Sequence, residues 1–307
     1  MYKHILTIAF MLAAGSAIAQ EEERINIIPK IYVAEFTAEK GISAADVSQI
    51  QSNVISGMEN SGRCELVDEN TIKMVLEQQQ KSDVLSLDTN EQFQYIVTGN
   101  VTSCTVQEVE EKTKSTQSKK YTCKITGTLT LYDLKSKEII ATIAINYEDS
   151  YTDYYSDGKY TKGKEYSTNT AKSDTFKKTK GAARLIVVEN FPVESYVEDT
   201  NITEKKEKIT HFYTRIDKSL VTEGLVFEIL VPTEIFDEIE YNGIGYAKIV
   251  KVGNNYSQLE IIAGQTKQKT RSQMYKKMDD YKKNKESDPN TAPIKIRSVG
   301  RYEISYF

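Results

Sequence analysis

Three cysteines are the side chains of this sequence with the most specific chemistry. Cys104 and Cys123 lie on the two arms of a predicted hairpin, at nearly equal distances from its tip near Lys114. Residues placed in this way come close to opposite one another, which predicts a cross-strand disulfide; two unpaired thiols, one facing each side, are the alternative. Cys64 is left over at the start of an apolar strand, where a thiol most often acts as a small buried hydrophobe. The spacing of the three matches no zinc site.

Tyrosine is abundant, with 20 residues, whereas tryptophan is absent. The densest group of tyrosines lies between residues 147 and 166, in a segment that we predict to be an exposed hairpin or loop around Asp157-Gly158. Its candidate partner-binding side chains are Tyr147, Tyr151, Tyr154, Tyr155, Tyr160 and Tyr166. Two interpretations stay open. Either the segment is a solvated hairpin with tyrosines that favour strands, or its rings bind a partner protein.

Residue sets that carry catalysis or hold cofactors do not assemble from this sequence. His211 is the single histidine after the first 19 residues, and no Ser-His-Asp or Cys-His set can be built around it. The segment that begins at Asp153 resembles a calcium loop, but it places Tyr155 and Lys164 where oxygen ligands are required. Glycine-rich nucleotide-binding motifs are absent. We therefore predict that the protein is not an enzyme and binds no cofactor and no metal.

The first residues predict export. Lys3 precedes the apolar run Ile5–Ala14, and Ala17–Ala19 supplies the small residues that a signal peptidase requires. Residues 1–19 are therefore predicted to be a signal peptide, and the mature chain to begin at Gln20. Because no cysteine follows the small residues, we expect a periplasmic protein that is not a lipoprotein; association with the outer membrane is left open. Disulfides persist in this oxidising compartment.

The charge balance bears on the class of partner. The chain has 40 basic and 44 acidic residues, for a net charge of -4. A nucleic-acid partner requires a basic face, so none is expected. With 39% hydrophobic and 27% charged residues, a packed core with a very polar surface is expected.

Residues 20–190 carry the pattern of an α/β domain that continues into an antiparallel sheet. Strand and helix segments alternate, an order that predicts helices covering a sheet. These segments are Ile31–Phe36, a helix from Ser43 to Gly62, Cys64–Val67, a helix from Asp68 to Gln80, and Gln94–Ser103. Three β runs then predict a meander with a bulge or bend at Gly127. They are Val101–Glu111, Tyr121–Tyr132 and Glu138–Ile145, and a helical pattern follows over residues 168–189.

Residues 191–307 form a second predicted domain. Short strands at a spacing of about ten residues favour a small β-barrel. They are Val193–Glu198, Lys208–Arg215, Val226–Val231, Ile244–Val252 and Tyr256–Ala263. The segment Thr266–Glu286 favours helix but has a thin apolar face, so we expect an exposed helical insertion there.

The order of elements in the first domain resembles the curli-secretion protein CsgG and its relatives, which include LpoB and the N-terminal domain of TolB. Two segments carry the resemblance, Arg63-Cys64-Glu65-Leu66-Val67-Asp68 and Tyr95-Ile96-Val97-Thr98-Gly99-Asn100-Val101, and it covers residues 28–190. The second domain, from Phe191-Pro192 through Lys218–Phe227, is similar to the C-terminal SH3-like domain of the flagellar protein FlgT. The resemblance implies an α+β chain: a three-layer-type α/β unit with an antiparallel sheet extension, followed by a small SH3-like β-barrel.

The resemblance also implies a function. It predicts a non-enzymatic periplasmic or cell-envelope protein that acts in interaction or assembly, through contacts with an envelope protein partner. A ring-forming outer-membrane secretion channel subunit is the alternative, and a homo-oligomer is left open. Glu108, Glu110 and Lys112 interrupt the face that such a hairpin would turn to lipid, so membrane insertion is disfavoured.

Overall fold

The structure, a computed structural model, describes residues 24–68, 70, 93–113, 117–156, 159–160, 168–203, 208–236, 238–264, 267–284 and 292–300. Contacts within the chain divide it into two compact units. One is Pro29–Val187, and the other joins Val188–Phe307 to the segment that ends at Ile28. The fold is mixed α and β, with one sheet in each unit.

Seven strands form the sheet of the first unit, in the order β3-β1-β4-β5-β6-β7 with β2 beside β4. They are β1 (Lys30–Val33), β2 (Thr37–Ala38), β3 (Glu65–Val67), β4 (Tyr95–Lys112), β5 (Gln117–Asp133), β6 (Glu138–Ser156) and β7 (Lys159–Tyr160). β1 runs parallel to β3 and β4, whereas β4, β5, β6 and β7 are antiparallel in succession. The predicted α/β layer and the predicted meander therefore belong to one sheet, and β4 joins them.

The strands of the meander are longer than the sequence pattern predicts. β6 continues past the predicted end at Ile145 because residues 146–155 all pair with β5. This half of the strand is filled by polar and aromatic side chains, so it lacks the apolar alternation that marks a strand in sequence. The predicted hairpin is present at the end of β6, where Tyr155 pairs with Tyr160 and Ser156 with Lys159.

Among the described residues, this part of the chain contains the helices α1 (Ala44–Glu59), α2 (Thr168–Lys177) and α3 (Thr179–Asn190). The predicted cap of α1 is present, since the Ser43 hydroxyl accepts a hydrogen bond of 3.1 Å from the Asp46 amide. The pattern over 168–189 predicts one helix, but the structure has two. The Thr175 and Thr179 hydroxyls bond back to the carbonyls of Ala171 and Phe176 near the break, which competes with helix continuation. The predicted helix from Asp68 to Gln80 lies almost wholly outside the described residues, so its packing against the sheet is not described.

One close contact ties the α/β layer to β4. Phe36 is buried, and its ring lies so near Gly99 that a Cβ atom built there would be 2.4 Å from the ring. Only glycine fits at this position without displacing the ring. The glycine of the Tyr95–Val101 segment therefore has a packing role.

Six strands form the sheet of the second unit. They are β8 (Glu194–Thr203), β9 (Lys208–Thr214), β10 (Val226–Ile235), β11 (Glu238–Val252), β12 (Ser257–Gly264) and β13 (Lys295–Gly300). Their antiparallel pairings follow the order β10-β11-β12-β9-β8-β13, and β13 pairs again with β10, so the ring of pairings closes. Buried side chains such as Phe212, Phe227 and Leu259 form the core.

The helical insertion is present as α4 (Lys267–Asn284), but it is not simply exposed. Met274 and Met278 are buried in the core of the second unit, and the Thr270 hydroxyl donates a hydrogen bond of 2.9 Å to the Ile244 carbonyl. These three residues recur every four positions along one side of the helix. A thin apolar stripe is sufficient here because the long methionine side chains fill the available space. Among the helices of the described residues, none is long and apolar enough to cross a membrane.

Candidate functional site

The predicted disulfide cysteines and four of the six predicted tyrosines lie on the long strands β4, β5 and β6. One face of this three-stranded sheet contacts α2, and we call it the covered face. The opposite face, which we call the open face, carries mostly polar side chains that are exposed in the outer half of the sheet. They are Thr105, Gln107, Asn146, Glu148, Ser150, Thr152 and Tyr154.

A bulge in β4 decides where the first cysteine points. Val101 pairs with Gly127, but Ser103 pairs with Thr126, so one extra residue is inserted in β4. The predicted irregularity at Gly127 is thereby confirmed, and a Cβ atom at Gly127 would lie 2.3 Å from the Asn100 carbonyl oxygen. Because the insertion shifts the alternation by one residue, the side chains that follow change faces.

As a result, Cys104 lies on the covered face together with Cys123. Cys104 is opposite Ile125 and Cys123 is opposite Val106, so the two cysteines are diagonal neighbours and not directly opposed. The structure carries both as thiols, with Cys123 buried and Cys104 partly exposed. Diagonal neighbours are about 7–8 Å apart between Cα atoms, somewhat beyond the usual range for a disulfide. A bridge therefore requires a small movement of β4 towards β5, and the predicted disulfide stays a prediction.

The two thiols are nevertheless in contact and differ electrostatically. A hydrogen bond from Cys104 lowers the pKa of Cys123 to about 7, against the opposing effect of burial, and the Thr175 hydroxyl and the Lys172 ammonium act in the same direction. The same thiol–thiol bond, with burial, raises the pKa of Cys104. Cys123 is thus the more easily ionised thiol of the pair, and the thiolate is the form that attacks a disulfide or an oxidised sulfur.

An ion pair borders the thiols. Lys172 on α2 lies 2.8 Å from the Asp46 carboxylate on α1, and this hydrogen bond raises the pKa of the lysine. Sequence reasoning missed the pair because its members are 126 residues apart and each looks like an ordinary surface charge. Cys64, predicted to be a small buried hydrophobe, is partly exposed, and its thiol donates a hydrogen bond of 3.6 Å to the Met58 carbonyl. Burial raises its pKa to about 12.

The six predicted tyrosines do not form one surface. Tyr147, Tyr151 and Tyr155 alternate along the covered side of β6, and all three are partly buried. Tyr154 points to the open face and is 54% exposed. Tyr160 pairs with Tyr155 through the backbone, and Tyr166 lies outside the described residues.

Asp149 organises the covered side of β6. Its Oδ2 atom lies 2.8 Å from the Lys178 ammonium and accepts a hydrogen bond of 3.1 Å from the Tyr151 hydroxyl. Burial alone would raise the pKa of Asp149, but the bonds from Lys178 and Tyr151 outweigh it and lower the pKa. Burial and the bond to Asp149 raise the pKa of Tyr151. The hydroxyl of Tyr151 is therefore held on the covered face by Asp149.

The outer edge of β6 has a different character. β7 pairs only with Tyr155 and Ser156, so from Glu138 to Tyr154 no strand of the described residues lies beside β6 on its outer side. The segment Glu138–Ile145, which we call the β6 edge, has the sequence Glu-Ile-Ile-Ala-Thr-Ile-Ala-Ile, and Ile139 is 58% exposed. Beyond Glu138 it contains no charge and no proline, the features that normally protect an edge strand.

No grouping of three or more metal-ligating side chains is found among the described residues. No family model and no curated protein matches the chain.

Several solved structures match this chain at low similarity. Lipoprotein GNA1162 from Neisseria meningitidis is 8% identical and aligns over 44% of this chain and 88% of its own, with a TM-score of 0.26. The LpoB C-terminal domain from Salmonella enterica is 12% identical over 38% of this chain and 79% of its own, with a TM-score of 0.23. A minor lipoprotein from Acinetobacter baumannii is 9% identical over 52% and 94%, with a TM-score of 0.28. Two of the three are lipoproteins, none is a curli-secretion or flagellar protein, and TM-scores of this size carry no argument about function.

Replacing Asp149 by Asn tests the network on β6. Asp149→Asn is expected to lower the free energy of unfolding at pH 7 by about 1–2 kcal/mol, because a carboxylate with three donors (Lys178, Tyr151 and the Ser150 amide) becomes a neutral amide. The pKa of Asp149 is lower in the folded state than in the unfolded state. The ionised carboxylate therefore stabilises the fold above the unfolded pKa of about 3.9, and this stabilisation is lost as the pH falls through the folded pKa. Urea unfolding should therefore show a deficit at pH 7 that disappears as the pH falls below the folded pKa of Asp149. Glu148→Gln, one residue away on the open face, is the control. An equal loss in this control, or a deficit that does not depend on pH, would contradict the account.

The disulfide has its own test. We expect mass mapping of non-reduced protein to find Cys104 joined to Cys123 and Cys64 as a thiol, because the two thiols of the pair touch. The periplasm, to which the predicted signal peptide would export the chain, would supply an acceptor for the two electrons and two protons released. Cys104→Ser should leave Cys123 reactive towards a maleimide in unfolded protein. If Cys104 and Cys123 of the wild type are both found as thiols, the prediction is wrong.

Proposed function

We propose that this chain is a non-enzymatic periplasmic or cell-envelope protein that acts by binding another envelope protein, and that the β6 edge is where it does so. The partner contributes a strand that pairs with β6. The observation that carries the proposal is the unpaired, uncharged run of β-branched residues along this edge.

The physical argument starts from the backbone. An edge strand presents a row of unpaired amide and carbonyl groups, which form a template for a further strand. The side chains of the edge strand then determine whether a further strand can pack beside it. From Ile139 to Ile145 the chain offers four isoleucines, a threonine and two alanines, which pack well against a neighbouring strand.

The rest of β6 supports this choice of segment. Near the opposite end of the strand, the Lys178 ammonium donates a hydrogen bond of 3.1 Å to the Glu148 carbonyl. Charged side chains also become frequent there, at Glu148, Asp149 and Asp153. The apolar half of the edge is therefore the half suited to strand addition. The predicted signal peptide would place this edge in the envelope, where it meets other exported proteins.

A photo-crosslinking residue at position 142 tests the proposal. Thr142 is exposed and lies within the β6 edge, so p-benzoylphenylalanine at this position should give a discrete crosslinked product in irradiated cells. Position 105 is the matched control, because Thr105 is also an exposed threonine of the same sheet but lies on β4. Adding Ile139→Lys to the first variant should abolish the product, since a charge on an edge opposes strand pairing.

The mass of the crosslinked product, and the position that yields it, identify the kind of partner or contradict the proposal. A product with the mass of two chains would identify a second copy as the partner, and a product with another mass a different envelope protein. Equal products at positions 142 and 105, or none at 142, would contradict the proposal. Large rings that require detergent in sizing and imaging would instead favour the secretion-channel alternative.

A further inference from the structure

The hairpin of β10 and β11 extends beyond its neighbours as a two-stranded arm, Pro232–Tyr241. β10 pairs with β13 only as far as Leu230, and β11 pairs with β12 only from Gly245 onward. Within the described residues, neither edge of the arm has a third strand. Val231 is the last buried residue of β10, so the arm projects about 13 Å, at about 3.3 Å for each residue.

The tip of this arm is apolar. Phe236 is 98% exposed, Ile235 38% and Ile239 40%. Ile235 pairs with Glu238, and Ile239 pairs with Glu234, so the two isoleucines lie on opposite faces of the ribbon with Phe236 at its apex. Burial of a phenylalanine ring is favourable, and Phe236 gains almost none of this stabilisation within the described chain.

The backbone at the apex is strained. Phe236 has φ +52°, in the left-handed region. A two-residue hairpin loop of this kind is normally occupied by Asn or Gly, and a residue with a bulky side chain is destabilising there. The folding of the unit explains neither this conformation nor the exposure of the ring. A strained and exposed aromatic residue is expected where function requires it.

The charge of the arm limits the choice of partner. Its sequence contains Glu234, Asp237, Glu238 and Glu240 and no basic residue. An anionic bilayer surface would repel these carboxylates, whereas lysine or arginine side chains around an apolar pocket would attract them. The base of the arm is held in place, because the Lys295 ammonium lies 5.7 Å from the centre of the Tyr241 ring and also pairs with Glu194.

We propose that this arm is a docking element that inserts Phe236 into an apolar pocket of a folded envelope protein, with basic residues around the pocket facing the carboxylates of the arm. The inference rests on the proposed role as an interaction protein. It concerns the second unit, however, and not the β6 edge, so either surface can fail its test while the other passes.

Crosslinking at the tip is the first part of the test. With p-benzoylphenylalanine in place of Phe236, irradiated cells should yield one discrete product, and the crosslinked peptide of the partner should come from an apolar pocket flanked by Lys or Arg. The same residue in place of Tyr256 is the control, since Tyr256 is an exposed aromatic residue at the opposite end of β11. No product at 236, or the same product at 256, would overturn the proposal.

Binding of the purified pair is the second part. Phe236→Asn should weaken the Kd at least about 30-fold, as for an anchor residue, whereas Tyr256→Asn should leave it unchanged. Phe236→Asn should also raise the Tm by about 2 °C, because Asn tolerates the left-handed conformation. A structural role for the ring would lower the Tm instead. Glu234→Gln with Glu240→Gln should slow association and reduce its salt dependence.

Two other partners of the arm, a lipid membrane and a second copy of this chain, are tested with defined probes. Co-sedimentation with phosphatidylcholine vesicles, with and without one-quarter phosphatidylglycerol, should show no binding that depends on Phe236. Sizing at high concentration should show no self-association that Phe236→Asn removes. A positive result in either experiment would overturn the proposal in favour of a membrane or of a second copy of this chain.

Discussion

The pairing of β5 with β4 on one side and with β6 on the other fixes the position of almost every residue discussed for the first unit. The pairing runs along the full length of β5 on both sides. Because side chains alternate between faces, the register assigns each residue of three strands to the covered or the open face. The bulge after Val101 is the one place in the β4–β5 pairing where this assignment shifts, and it brings Cys104 onto the same face as Cys123.

Much of this architecture could be predicted from sequence, but the face of the sheet on which Cys104 lies could not, because it depends on the bulge. The Ser43 cap, the parallel strands flanking the first helix and the meander follow from local patterns. Gly127 indicated an irregularity, yet the face of Cys104 depends on which strand carries the extra residue, and no local pattern determines that. The contacts of Asp149 with Lys178 and of Asp46 with Lys172 are tertiary, and nothing in one sequence signals them.

The partial burial of side chains on α4 and on β6 has a common physical origin. The exposed-insertion prediction for α4 counted apolar residues but could not know that two methionines reach the core. The tyrosine segment was predicted as exposed because it is polar, yet Tyr147 and Tyr151 are partly buried with polar partners. In both cases, burial is decided by what packs against an element and not by its own composition. The two features proposed for function, the β6 edge and the Phe236 arm, are those where apolar side chains, which are normally buried, are exposed to solvent.

Amide hydrogen exchange along Glu138–Ile145 tests the central claim most directly. If the β6 edge is unpaired in the isolated protein, alternate amides that point away from β5 exchange rapidly while their neighbours bonded to β5 exchange slowly. In envelope fractions where the partner is bound, the rapid set should become protected by at least about 100-fold, in line with a newly formed strand pair. Uniformly slow exchange in the purified monomer would show that the edge is already paired, and would contradict the account.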